Sequence, residues 1–254
     1  MTGRFPFLTH PLPLAFAHRG GSLEAEENTE AAFAHAAALG FTHVETDVQA
    51  SRDGVAVLFH DDDLERMTGV RARVADLTWA ELRRLRTRGG SSLMRLDSLL
   101  EGHPELCCNL EIKTADAVLP MADSIRRHRA LSRVGVGAFD GRWTDGLRRE
   151  LGDDLCWSPA HVGVARLWLE GWGIPLPRPP FPMVQIPPSY QGIALSTGRF
   201  VRAAHARGVQ VHVWTVDEPD VMHRLLDLGV DGLMSDRPSV LREVLQARGR
   251  WPRA

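Results

Sequence analysis

The residues of this 254-residue chain whose types and spacing could do chemistry stand in four short groups. These are His18-Arg19-Gly20, Glu45-Thr46-Asp47, His60-Asp61 and Glu111-Ile112-Lys113. Residues i and i+2 of a strand face the same side, so Glu45 and Asp47 project together, as do Glu111 and Lys113. Bare carboxylates aimed into one interior repel each other and resist desolvation. Glu45, Asp47 and Glu111 therefore read as ligands of a hard divalent cation. An all-oxygen donor set favours Mg²⁺ or Ca²⁺ over zinc. The bland alternative is a structural ion network in which Arg19 and Lys113 neutralise them. Arg19 offers a planar fork for phosphate or carboxylate, and Lys113 a point charge. Beside a metal they describe a phosphate-ester site. His18 and His60 supply imidazoles able to take a proton from a nucleophile or give one to a leaving alkoxide.

Such groups need a frame, and strand-like and helix-like patterns alternate along the chain. Strands are expected at 13–18, 42–50, 106–113, 133–140, 154–159, 182–187, 209–216 and 231–236. The stretch 55–60, after the Asp53-Gly54 turn signal, adds a hairpin strand. A helix over 28–40 has Asn28 or Thr29 to cap it and Gly40 to stop it. The segment 61–105 is irregular, with helical pieces at "TWAELRRLR" and "LDSLLEG", and a helix follows at about 115–129. Repeated βα units of this number predict a (β/α)₈ TIM barrel with a small insertion between about 61 and 105, one domain over 1–254. An open doubly wound sheet is the alternative, but no Gly-x-Gly-x-x-Gly or Walker-type loop follows the first strand. In a barrel, functional groups gather at the C-terminal ends of strands. His18 and Arg19 end the first strand, Glu45 and Asp47 lie late in the second, and His60 ends the added one. Glu111 and Lys113, Trp214, and Ser235-Asp236 end later ones.

Composition is that of an ordinary soluble protein, with 44 % apolar and 24 % charged residues and a formal net charge of −2. No basic tail points to nucleic acid or an anionic membrane. No run of 18 apolar residues marks a transmembrane helix. The first 20 residues lack the apolar core of a signal peptide, so a cytoplasmic protein is expected. Cys107, Cys108 and Cys156 have neither disulfide nor zinc spacing and read as small buried strand residues. The stretch "GIPLPRPPFP" at 173–182 reads as a structural αβ loop on the face away from the site.

The motifs, taken in order, resemble the glycerophosphodiester phosphodiesterase family over nearly the whole chain. They are "HRG" at 18–20, "EENT" at 26–29, "ETD" at 45–47, "DG" at 53–54, "HD" at 60–61, "LEIK" at 110–113, "VWTVD" at 213–217 and "GVDGLMSDRP" at 229–238. The resemblance implies a metal-dependent barrel hydrolase that cuts a phosphodiester such as glycerophosphocholine to sn-glycerol 3-phosphate and an alcohol. It implies His18 as general base and His60 as general acid. Glu45, Asp47 and Glu111 would hold the divalent ion, with Glu27 a lesser candidate, and Arg19 and Lys113 the phosphate. Three positions depart from the family pattern. Glu26 stands where the family has proline, Ser235 where it usually has threonine, and "LMRLDSLL" lacks a proline before its helix. Trp214 either walls the substrate cavity or packs the barrel mouth. Tyr190 either contacts the leaving alcohol or packs its loop. Asp61 either orients His60 or caps the next segment, while His35 and His43 read as structural. Two other functions stay open: a lysophospholipase D-like enzyme, which needs an apolar groove beside the site, and a barrel that binds phosphate ligands without turnover.

Overall fold

A computed structural model of the chain describes residues 4–177 and 179–251. Eight parallel strands form the barrel: β1 (Leu14–Ala17), β2 (His43–Ala50), β3 (Cys107–Ile112), β4 (Val134–Gly137), β5 (Cys156–Trp157), β6 (Met183–Ile186), β7 (Gln210–Val213) and β8 (Gly232–Ser235). Ladders join them in the order β5-β4-β3-β2-β1-β8-β7-β6. At the seam between β5 and β6 the backbone amide of Gln185 donates instead to Ser158 Oγ, 3.0 Å away. The strands are shorter than their sequence patterns, because the flanking residues leave the ladders for the loops. Residues 56–58 pair antiparallel with β2, as expected of a hairpin addition, and Met94–Arg95 pairs with them in turn. The helix Leu96–Gly102 packs as a barrel helix, so the insertion ends before it rather than at 105. Among the described residues no helix is long and apolar enough to cross a membrane.

Strand parity sorts the side chains. Val44, Val48, Cys108, Leu110 and Ile112 pack outward with the helices in one large core. Their neighbours face inward and meet in register: His43 beside Cys107, Glu45 beside Asn109, and Asp47 beside Glu111. The lower end is stoppered by the N-terminal segment, where Phe5, Phe7 and Leu8 pack with Leu14, Phe16, Cys107, Cys156, Met183 and Met234. Gly135 on β4 makes room for this plug, since a Cβ there would lie 2.5 Å from the Phe7 ring. The three cysteines are buried and free. The segment 173–182 precedes β6 on the lower side; Leu176 O accepts from Arg207 Nη2 at 3.1 Å, and Arg178 lies outside the described residues.

The first βα connection is shaped for the site. Helix Glu30–Ala38 is capped by Thr29, whose hydroxyl accepts from Ala32 N. Gly20 sits at φ 82°, and a Cβ there would meet Ala32 Cβ at 2.6 Å. Only glycine allows that positive φ and that close approach at no steric cost. Arg19 and Asn28 are themselves left-handed, at φ 51° and 56°. Non-glycine residues held there store backbone strain of a kind that clusters at functional sites.

Candidate active site

The upper barrel mouth brings together every residue group singled out by its chemistry. Glu45, Asp47 and Glu111 each offer a carboxylate oxygen within 4.8 Å of the others. Glu45 and Asp47 are buried, 3 % and 2 % exposed, while Glu111 is half-buried. Burial, with the neighbouring Asp47 and Glu111 charges, pushes the Glu45 carboxyl well above its ordinary range despite His18. Burial likewise raises Glu111, offset in part by Lys113. Asp47 is the most tightly held. Asn28 Nδ2 donates to it at 3.2 Å, Arg19 Nε lies 3.4 Å away and Lys113 Nζ 3.6 Å away. Asn28 is fixed in turn by the Thr46 hydroxyl, 2.7 Å from its Oδ1.

The cations are shared among these carboxylates. Lys113 Nζ donates to Glu111 Oε1 at 3.0 Å. Burial works against its charge, but Glu111 and Asp47 outweigh burial and raise its pKa. The left-handed turn at Arg19 lets its backbone amide donate to Glu45 Oε2 at 3.1 Å, while its guanidinium reaches Glu27 at 3.3 Å. Arg19 Nε is buried and makes no hydrogen bond among the described residues. The ion network that is the alternative to a metal site is thus present, yet it leaves two carboxyls strained toward protonation. An all-oxygen set with that demand for positive charge fits a hard divalent ion.

Each histidine is oriented by an aspartate. His18 Nδ1 lies 2.6 Å from Asp236 Oδ1, and its Nε2 lies 3.6 Å from Glu45 Oε2. Burial alone would lower the His18 pKa, but the Glu45 and Asp236 carboxylates outweigh it and raise the pKa to about 9. His60 Nδ1 lies 2.8 Å from Asp61 Oδ1. Asp61 orients His60, as one of its two expected roles required, and is itself gripped by Arg66. That guanidinium also forks onto Glu27 at 2.9 and 2.7 Å. Arg66 therefore ties the His60 side of the mouth to the Arg19 side. Trp214 is half-buried and meets Phe139 edge-on at 5.9 Å between centroids. Both line a cavity of about 330 Å³ that starts at Glu111 and runs over the β5–β6 seam. Its walls are mostly apolar, with Val164, Trp168, Tyr190 and Leu195 among them. His35 bonds to Glu24 and His43 to Phe7 O, each in a structural setting.

Sequence reasoning missed Asp236 as the partner of His18, although "SDRP" was in view. The signal was barrel closure, which sets β8 directly beside β1. It also missed Arg66, which lies in the irregular insertion, and the apolar cavity, whose walls come from several connections. Glu26, the departure from the family proline, clasps the insertion: its Oε1 accepts from Gly89 N at 2.9 Å.

Fold and site together define a class, the (β/α)₈ phosphoric diester hydrolases. The family model for the glycerophosphoryl diester phosphodiesterase family matches residues 18–240. A Mycobacterium tuberculosis protein named "Probable glycerophosphodiester phosphodiesterase 2" is 41 % identical, covering 96 % of this chain and 95 % of its own. The chain belongs to that family and is an enzyme, a glycerophosphodiester phosphodiesterase. The rat protein "Lysophospholipase D GDPD1" is 28 % identical over 95 % of this chain and 91 % of its own. A solved Oleispira antarctica phosphodiesterase, in complex with sn-glycerol-3-phosphate, shares the fold. Its TM-score is 0.77 at 23 % identity, covering 92 % of this chain and 97 % of that one.

The raised His18 pKa has a stability consequence with a definite sign. A histidine whose folded pKa lies above 6.5 stabilises fully below 6.5 and loses that contribution as pH rises to about 9. Metal-free protein should therefore lose thermal stability across that window, with the His18 ring proton resonance titrating near its upper end. Glu45→Gln should lower the His18 pKa and flatten the stability curve. An unmoved His18 titration in that variant would contradict the pairing.

Proposed function

We propose that the chain, acting as one catalytic domain over residues 1–254, hydrolyses glycerophosphodiesters to sn-glycerol 3-phosphate and an alcohol. In this reading it uses a divalent cation and two histidines. The observation that carries the reading is the convergence of three carboxylates, two of them buried, with two imidazoles, each held by its own aspartate. Glu45, Asp47 and Glu111 would hold Mg²⁺ or Ca²⁺. The chemistry such an ion supplies here is neutralisation of phosphate charge and acidification of the attacking hydroxyl or water. Arg19 and Lys113 would bind the phosphate oxygens. His18, with Asp236 fixing its Nδ1, presents Nε2 to the nucleophile and takes its proton once Glu45 no longer holds the ring protonated. His60, with Asp61 fixing its Nδ1, gives a proton to the departing alkoxide. Arg66 and Glu27 keep the two halves in register, and Trp214 walls the substrate on the far side of Glu111.

Glycerophosphocholine with added Mg²⁺ or Ca²⁺ should yield glycerol 3-phosphate, and EDTA should suppress the reaction. His18→Ala and His60→Ala should each lower kcat at least ~10²-fold, the usual scale for a lost general acid or base. No product with either ion, or near-normal rates in both variants, would overturn the assignment.

A second reading is favoured by the apolar cavity beside Glu111. Its lining suits a phosphodiester with an apolar arm, so a lysophospholipid would be cut by the same residues. Filling it with Ala165→Trp, a substitution on its wall, should lower turnover of a lysophospholipid roughly 10-fold or more, the worth of about two buried methylenes. Turnover of glycerophosphocholine should stay within about twofold. Equal losses on both substrates would remove the cavity from substrate choice.

A further inference from the structure

The floor of the barrel carries a second set of potential metal ligands, one side-chain layer below Glu45 on the same strand face. We propose that His10, His43 and Cys107 form a binding site for a borderline-soft divalent ion of the Zn²⁺ type, one that clips the N-terminal segment to the start of β2 and β3. The three residues each offer a ligand atom within 4.8 Å of the other two. His10 Nε2 and Cys107 Sγ are 3.4 Å apart, close to the roughly 3.5 Å between N and S ligands on tetrahedral zinc. Little rearrangement is needed on that edge.

The other imidazole is held as metal-ligating histidines are held. Such rings almost always donate their second N–H to a carbonyl or carboxylate, which fixes the tautomer. His43 Nε2 lies 3.0 Å from the carbonyl of Phe7, on the segment the metal would clip. That bond leaves Nδ1 with the lone pair; the Thr42 hydroxyl meets it at 2.9 Å and can rotate aside. His10 and His43 stack edge-on, 4.7 Å between centroids, with Phe7 and Phe16 packed against His43. Thiolate and imidazole donors suit zinc-like ions and reject Mg²⁺ and Ca²⁺, so the two ends of the barrel would select different metals. His10 is half-buried and opens a way in, and a water completes four ligands.

The test uses full-length protein stripped of metal, then saturated with Mg²⁺ to occupy the carboxylates, and titrated with Co²⁺. A near-ultraviolet thiolate-to-cobalt band should rise to one equivalent and vanish on adding Zn²⁺. Cys107→Ser should abolish the band, and His10→Ala, at a half-buried position that disturbs the fold little, should weaken Co²⁺ binding at least ~10-fold. Zn²⁺ should raise the Tm of the native protein but not of either variant, and glycerophosphodiester hydrolysis should survive both changes. No thiolate band, or a band that persists in Cys107→Ser, would mean that the cluster is a core hydrogen bond and nothing more.

Discussion

The repulsion among Glu45, Asp47 and Glu111 is the constraint on which the rest of the mouth depends. Three carboxylates within 4.8 Å, two of them buried, cost free energy unless opposite charge or bonded protons answer them. Everything nearby answers them. Arg19 spends both its amide and its guanidinium, Lys113 bridges two of the three, Asn28 fixes Asp47, and His18 leans on Glu45. The left-handed backbone at Arg19 and Asn28 and the glycine at position 20 shape the connection beside them. They let one short turn point several donors at the same centre.

A second regularity comes from the register of β2 against β3. Because the strands pair in parallel, one face of the pair carries two different chemistries at two depths. His43 and Cys107 lie on the floor, with Asp47 and Glu111 two layers above. The N-terminal plug seals the lower layer, and Gly135 gives it space. The barrel closes least completely between β5 and β6, where a side chain replaces the ladder, and the apolar cavity runs over that seam.

Much of this was legible in the sequence, and the reason is periodicity. The alternation of βα units predicts the barrel, and the i, i+2 spacing of Glu45 with Asp47 and of Glu111 with Lys113 predicts shared faces. Both pairs do share them. What could not be read was contact between residues far apart in the chain. Asp236 reaches His18 across 218 positions because β8 closes onto β1. Arg66 joins Asp61 to Glu27 only once the insertion has folded back. Glu26, puzzling as a replacement for proline, is explained by Gly89. A Cβ on that glycine would lie 2.7 Å from the Glu26 carboxylate, so the two positions are matched to each other. The cavity walls come from several separate connections and share no pattern.

The proposed chemistry depends on the carboxylates holding a cation. The direct measurement is calorimetric titration of metal-free protein with Mg²⁺ or Ca²⁺ near neutral pH, in two buffers of different ionisation enthalpy. The proposed chemistry predicts one bound ion and net proton release, because burial and mutual repulsion hold the Glu45 and Glu111 carboxyls toward protonation and the ion reverses that. It also predicts at least ~10-fold weaker binding in Asp47→Asn. No binding by the native chain, or equal affinity in the variant, would contradict it.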